Sequence, residues 1–430
     1  MDSRKRSPDD PEPIMGSNVS AQGPRRAALV FIFVTIALDM MAIGLIVPVL
    51  PKLIEDFMNE DTAAAARVFG LFGAVWALMQ FFSMPIMGSL SDRFGRRPVI
   101  LLSNFGLGLD YILMALAPNL AWLFVGRVIS GITAASISTG MAYVADVTPV
   151  EKRASAFGLT GIAFGLGFVL GPALGGVLGG IDPRLPFWAA AALSLLNGLY
   201  GLTVLPESLP PERRRPFEWR RANPVGSLKL LRSHAGLTRL ASISFLGGLA
   251  HAVLPSVFVL YAGYRYGWQE RTVGLALALV GVSSAIVQGA LVGPLVSRLG
   301  ERRTLLTGLA FGVAGFIVYA LAPTGAVFLA AIPLVALWGL SGPSAQGLMT
   351  RLVDPRRQGE LQGATGAVLG IAAMIGPGLF TLTFATFIDP AARWQVPGAP
   401  FFLASFLLAL AWLVGLNVTA ATQAAGRAGK

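Results

Sequence analysis

An all-α membrane protein of twelve transmembrane helices, arranged as two pseudo-symmetric bundles of six, is the fold class that this sequence predicts. Three observations carry that reading. The 430 residues are 54% hydrophobic and only 13% charged, too apolar for a soluble domain of this size. Apolar runs of about twenty residues recur along the whole chain, which is the length that crosses a bilayer. The two halves also repeat at a fixed offset of 205 residues.

The expected spans, in order, are Ala27–Leu50, Val68–Leu90, Val99–Ala117, Ala121–Val144, Ala154–Gly179 and Leu185–Leu205 in the first half. In the second half they are Leu240–Tyr261, Thr272–Leu295, Thr304–Ala322, Ala326–Met349, Leu361–Ile388 and Pro400–Val418. The domain reading follows: an N-terminal tail at 1–26, a first bundle at 27–206, a linker at 207–238, a second bundle at 239–418 and a C-terminal tail at 419–430. The first twenty-six residues are polar and lack the short apolar region of a removable signal peptide, so they are read as a cytoplasmic tail. The linker is rich in proline and arginine.

The repeat is read residue by residue. Gly88 maps to Gly293, Arg93 to Arg298 and Gly95 to Gly300. Ala115-Leu-Ala-Pro118 maps to Ala320-Leu-Ala-Pro323 without a mismatch, and Gly171-Pro172 maps to Gly376-Pro377. Two six-helix repeats make two facing bundles with a binding site between them near the midplane.

Charge placement sets the orientation. The tails and the loops after even-numbered spans hold 26 basic residues; the opposite loops hold six. The basic side is expected to be cytoplasmic, with both termini inside and the chain integral to the inner membrane. The net charge of +11 therefore reads as topology, and no nucleic-acid partner is expected. With no cysteine and only His234 and His251, a thiolate or histidine-rich metal site is excluded, and no metal or cofactor is expected. No Gly-x4-Gly-Lys-Ser/Thr sequence is present, which speaks against ATP as the direct energy source.

The loop between the second and third spans reads Gly88-Ser-Leu-Ser-Asp92-Arg93-Phe-Gly95-Arg96-Arg97-Pro98. A stop-transfer loop needs arginines, but it needs neither Asp92 nor the two glycines. Pro98 suits the first turn of the following helix, where the missing N–H costs nothing.

Of 22 acidic residues only Asp39 and Asp110 fall in the middle of an apolar span, and Arg127 is the only basic residue so placed. Each costs about 3 kcal/mol at bilayer depth, so each is expected to face a partner or water. One reading is structural: Arg127 in a buried ion pair or carbonyl contact, the two acids as neutral hydrogen-bonding carboxyls. The other is proton coupling, in which a carboxyl in a drying cavity gains a proton and loses it when a cation or water returns. At the repeat offset all three charges are lost from the second half, which makes the first half the ionic one and the second a wall for an apolar substrate. Polar candidates for that cavity are Gln80 and Asn104 in the first half and His251, Gln288 and Gln346 in the second, with Trp338. Interhelical hydrogen bonding is the alternative for each, and for Asn197.

The fifth span contains Gly167-Phe-Val-Leu-Gly171-Pro172-Ala-Leu-Gly175-Gly176. Glycines four apart bare one helix face for close packing, and Pro172 removes a backbone donor.

The chain resembles the major facilitator superfamily over essentially its whole length. Gly88–Pro98 resembles its loop motif, Asp39-Met-Met-Ala-Ile-Gly44 with Pro48-Val-Leu-Pro51 its first-helix drug-exporter motif, Leu123-x3-Arg127-x2-Ser-Gly131 its fourth-helix motif, and Gly167–Gly176 its antiporter motif. Leu109-Asp110-Tyr111, Leu299-Gly-Glu301-Arg-Arg303 and Arg357-Gln-Gly-Glu360-Leu-Gln-Gly363 resemble the tetracycline/proton antiporters. The resemblance implies that Asp39 and Asp110 are needed for transport, with Arg127 in proton transfer. It also implies that Asp92 and the loop arginines latch the outward-facing state at the start of the eleventh span, a site that suits a carboxylate. One departure is the ninth span, which lacks the acidic residue of the tetracycline pumps. That points to small amphiphilic drugs generally rather than chelated tetracycline.

The expectation is a proton-coupled antiporter, not an enzyme, that exports a small amphiphilic drug by alternating access. Its partners would be substrate, protons and the lipid bilayer, and it would act as a monomer. The alternatives are a proton symporter importing a nutrient and a non-transporting sensor or scaffold.

Overall fold

The computed structural model describes residues 22–134, 136–149, 153–217, 228–233, 235–354 and 357–418. The expected C-terminal tail, most of the N-terminal tail and the middle of the linker lie outside the described residues. Twelve helices among the described residues are long and apolar enough to cross a membrane. They are α1 Val30–Phe57, α2 Thr62–Phe94, α3 Arg96–Ala115, α4 Leu120–Val147, α5 Arg153–Gly179, α6 Leu185–Val204, α7 Ala235–Tyr266, α8 Glu270–Leu299, α9 Glu301–Leu321, α10 Gly325–Arg351, α11 Gln358–Ile388 and α12 Ala399–Leu416.

The expected count holds, and the boundaries differ for local reasons. α2 begins at Thr62, six residues before the apolar run at Val68. Asp61 caps it, accepting from the Ala64 N–H at 2.9 Å, and four alanines in the first turns propagate the helix. Asn119 caps α4 by accepting from Trp122, and Thr324, its repeat counterpart, caps α10 by accepting from Val327. α1 is interrupted between Ile46 and Leu50, next to Pro48, and Pro51 opens its second piece. The linker contains a short turn at Pro211–Arg213 and one helical turn at Leu228–Leu231, and α7 starts at Ala235. Gly95 and Gly300, each between two spans, have φ of +106° and +79°. Side-chain-bearing residues rarely adopt that region, which accounts for the repeated glycine.

The packing has a twofold relation. Within the first half α1 packs on α5 and α6, α3 on α4 and α6, and α2 on α4. In the second half α7 packs on α11 and α12, α9 on α10 and α12, and α8 on α10. Every contact recurs six spans later. The halves meet through α2 against α11 and α5 against α8, two seams that exchange under the same twofold. In the second half a nest of aromatic rings, among them Tyr261, Phe316, Tyr319, Phe328 and Phe401, fills the core, with Tyr319 stacked on Phe328 at 3.9 Å.

The seams are tight at one end and open at the other. At the tight end, a Cβ on Gly73 would lie 2.9 Å from Pro377 and one on Gly176 would lie 2.9 Å from the Gly274 Cα. Arg67 of α2 pairs there with Asp389, just past α11, at 3.4 Å. Towards the Gly88–Pro98 loop the close glycine approaches between the seam helices end. A Cβ on Gly88, Gly161, Gly289, Gly293 or Gly366 would meet nothing within 4 Å. A cleft therefore opens on the loop side and ends at the tight seams.

Candidate functional site

The first half gathers the membrane charges. Asp39 on α1 is 2% exposed and Asp110 on α3 is 1% exposed. Asn197 of α6 donates to Asp39 Oδ1 at 3.3 Å, and Thr35 donates to the Asn197 side-chain oxygen at 3.1 Å. Asn197 thus makes the interhelical bond that a polar side chain in a span needs. Neither Asp110 oxygen accepts a hydrogen bond. The Asp110 carboxyl packs against Gly126 of α4, where a Cβ would lie 3.0 Å from Oδ1. Only glycine admits that approach, and the next residue is Arg127. The Arg127 guanidinium lies over the Trp76 ring of α2, 5.3 Å from its centroid, and makes no ion pair with Asp110 within 4 Å. Tyr111 lies within electrostatic reach of Asp110, Arg127 and Asp39. The three charges sit inside one bundle, between helices rather than against lipid.

The loop motif is tied to its own half. Asp92 pairs with Arg96 at 2.6 Å, and Arg96 pairs with Asp146 of α4 at 3.1 Å. Ser91 donates to the Gly88 carbonyl at 2.8 Å, and the Arg93 guanidinium lies over Phe94. Glu207 caps the start of α3, accepting from the Arg96 N–H at 2.8 Å and the Arg97 N–H at 3.3 Å. Arg97 donates to the Leu202 carbonyl at the end of α6, at 2.8 Å. The second half copies this with altered chemistry. Arg302, the counterpart of Arg97, donates to Leu416 at the end of α12 at 2.9 Å. Glu301 and Arg351 pair at 2.8 Å. They stand at the repeat positions of Arg96 and Asp146, so the ion pair is kept with its polarity reversed. Arg357 and Glu360 pair with each other at the start of α11. Because Arg97 caps an orphan carbonyl at a helix C-terminus, Arg97→Gln is expected to lower stability by about 1 kcal/mol. Thermal melting in lipid nanodiscs checks this, with Arg302→Gln as the matched control in the other half.

The glycines of α5 serve two neighbours. A Cβ on Gly167 would lie 2.5 Å from the Met40 Cβ and one on Gly171 2.7 Å from the Gly44 Cα, while Gly175 abuts the Leu45 carbonyl. That face seats α1. Gly176 and the Pro172 carbonyl meet Gly274 of α8, across the seam.

The cavity candidates scatter. His251 on α7 is exposed and its ring lies 5.9 Å from Trp338 of α10. Trp338 occupies the tight turn Leu337–Leu340, and Gln288 is exposed on the widened turn Val287–Leu291 of α8. Gln80 and Gln346 are half-buried. Asn104 is wholly buried and its amide has no partner. Sequence reasoning missed Trp76, Asp146 and Glu207. The repeat offset alone could have found the reversed Asp146–Arg96 pair; nothing in the sequence marks Trp76 as the partner of a residue on another helix.

The Major Facilitator Superfamily model matches residues 32–377 and 240–429. The chain is 37% identical over 388 residues to the class C tetracycline resistance protein of Escherichia coli, covering 90% of this chain and 93% of that one. It is also 37% identical over 366 residues to the class G protein of Vibrio anguillarum, covering 84% and 91%. The fold is that of the human organic anion transporter MFSD10, with a TM-score of 0.68 at 24% identity over 92% of this chain and all of that one. This chain belongs to the major facilitator superfamily and, within it, to the family of the tetracycline resistance proteins.

Proposed function

We propose that this protein is a proton-coupled antiporter of the inner membrane that exports a small amphiphilic drug by alternating access. The observation that carries this reading is the site around Asp110, a sealed carboxyl with no hydrogen bond, beside a helix that bears an unpaired guanidinium. An ionised carboxylate there would cost several kcal/mol without a partner. A bound proton removes that cost, and a returning Arg127 removes it in another way. Asp39, Asp110 and Arg127 are the proton-coupling residues on this reading. No cofactor takes part and the proton gradient drives the cycle.

With the basic loops cytoplasmic, the open cleft faces the cytoplasm and the tight seams close the outer side. The drug enters between Gln80 on one wall and His251, Trp338, Gln288 and Gln346 on the other. Gly88, Asp92, Arg93, Gly95, Arg96 and Arg97 form the gate that closes behind it. In the open state Asp92 is held by Arg96; closure brings it to the start of α11. The antiporter glycines of α5 keep α1 and α8 close as the bundles rock. One chain holds every part of this cycle, so it works as a monomer. Tetracyclines are candidate substrates because the relatives are tetracycline resistance proteins. The uncharged interior of α9 widens the class to amphiphiles without a chelated metal.

The test is a susceptibility panel in a host stripped of its main efflux pumps. The wild-type protein is expected to raise resistance several-fold to at least one amphiphilic drug, and Asp39→Asn to remove that resistance. No resistance across a broad panel would favour nutrient import instead.

A further inference from the structure

Arg127 and Asp110 are opposite charges on packed helices, and they are not paired. Asp110 rests on Gly126, the residue before Arg127, with both oxygens lacking a donor. The guanidinium is turned the other way, over the indole of Trp76 at 5.3 Å. An indole face is the best aromatic seat for a cation, and desolvation strengthens it. A buried ion pair recovers only part of its desolvation cost. The indole and the carboxylate are thus two alternative seats for this cation, on different helices.

We propose that Trp76 is a positioning residue for proton coupling: its ring holds the Arg127 guanidinium away from a protonated Asp110 when the cleft first opens to the loop side, and yields it to the carboxylate as α2 shifts while that cleft is still open. The inference rests on Asp110 being a proton carrier. Gly73, on α2, touches Pro377 of α11 across the seam, and Trp76 lies three residues on, on the same helix face. A shift of α2 along that seam moves the ring. With Asp110 protonated, the guanidinium stays on the indole. As it swings to Asp110, the carboxyl O–H bond breaks, the electron pair stays on oxygen and the proton passes to water in the loop-side cleft; once the outer seam parts, the guanidinium returns to the indole and the carboxylate takes a proton from the outer side.

The groups facing Asp110 are few. Arg127 of α4 is the charge that acts on it, Tyr111 is its neighbour on α3, and Asp39 of α1 reaches Tyr111. α6 meets α3 with Leu195 and with Gly198 against Phe105, none of them titratable, and the Trp76 indole of α2 meets the Arg127 guanidinium.

A hydrophobic carbodiimide reacts only with a protonated carboxyl, so its labelling of Asp110, read by peptide mass spectrometry over a pH series in nanodiscs, reports the switch. Trp76→Leu is expected to move the labelling midpoint to lower pH by about one unit, because the freed guanidinium now favours the carboxylate. Trp76→Phe, with a weaker aromatic face, should fall between and serves if the leucine variant does not fold. In an Arg127→Gln background Trp76→Leu should shift nothing. An unmoved midpoint in Trp76→Leu, an equal shift without Arg127, or an Asp110 unlabelled at every pH overturns the proposal. Failure of the antiport reading looks different: Asp110→Asn vesicles would keep proton-driven export whatever the labelling of Trp76 variants shows.

Discussion

Everted vesicles carrying Asp110→Asn are expected to lose drug-driven proton movement, down to the level of vesicles without the protein. Asparagine has nearly the shape of aspartic acid, so it should keep the contact with Gly126 that seats α3 on α4. It has no ionisable proton at accessible pH. The acid has no hydrogen bond to lose. The amide brings a donor into a dry site, at about 1–3 kcal/mol if nothing accepts from it. That is a loss in melting temperature, not in the fold. The measurement is quenching of a pH-sensitive dye on drug addition, beside binding of the same drug to the purified variant. Binding retained with proton movement lost is the expected pair of results. Proton movement retained would remove Asp110 from the cycle and leave it as a packing residue. Asp39→Asn should behave similarly in transport, but for Asp39 the Asn197 amide can still donate to the remaining side-chain oxygen, so its stability cost is smaller.

Much of this is legible in the sequence, and the reason is physical. Backbone groups in hydrocarbon must be satisfied within the helix, so each apolar run of sufficient length becomes one span. The offset of 205 residues held because the two halves share one packing scheme: Asn119 and Thr324 cap equivalent helices, Gly95 and Gly300 take equivalent positive φ, and Arg97 and Arg302 reach equivalent helix ends. The capping helix start at Asp61 was not legible from hydropathy, because four alanines carry little apolar signal. Side-chain partners were least legible. Asp39, Asp110 and Arg127 stood out because charge is costly in oil, yet the two residues that hold them, Asn197 and Trp76, are ordinary members of apolar spans. Of the cavity residues, His251 and Trp338 are neighbours across α7 and α10. Polarity says that a side chain needs company and does not say whose.

Gly274→Val is expected to prevent closure of the outer seam and to abolish export. A Cβ at Gly274 would collide with the Pro172 carbonyl and lie 2.9 Å from the Gly176 Cα, both backbone atoms of α5 that have no rotamer to yield. The twofold makes Gly70 its counterpart, facing Thr381 and Pro377 of α11. There the nearest neighbour is the Thr381 side chain, which can rotate, so Gly70→Val should be the milder of the two. Overpacking of this kind costs about 2 kcal/mol, enough to move a two-state equilibrium about thirtyfold away from the closed-seam state. The chain has no cysteine, so the pair Arg67→Cys and Asp389→Cys, which replaces an ion pair across the seam, gives a clean cross-linking report. Cross-linking should be efficient in the otherwise unaltered protein, reduced by Gly70→Val and nearly lost with Gly274→Val. Unchanged cross-linking with Gly274→Val would mean that the seam can open locally without rocking the bundles. If export survived as well, the close glycine contact between α5 and α8 would be packing that the cycle does not use.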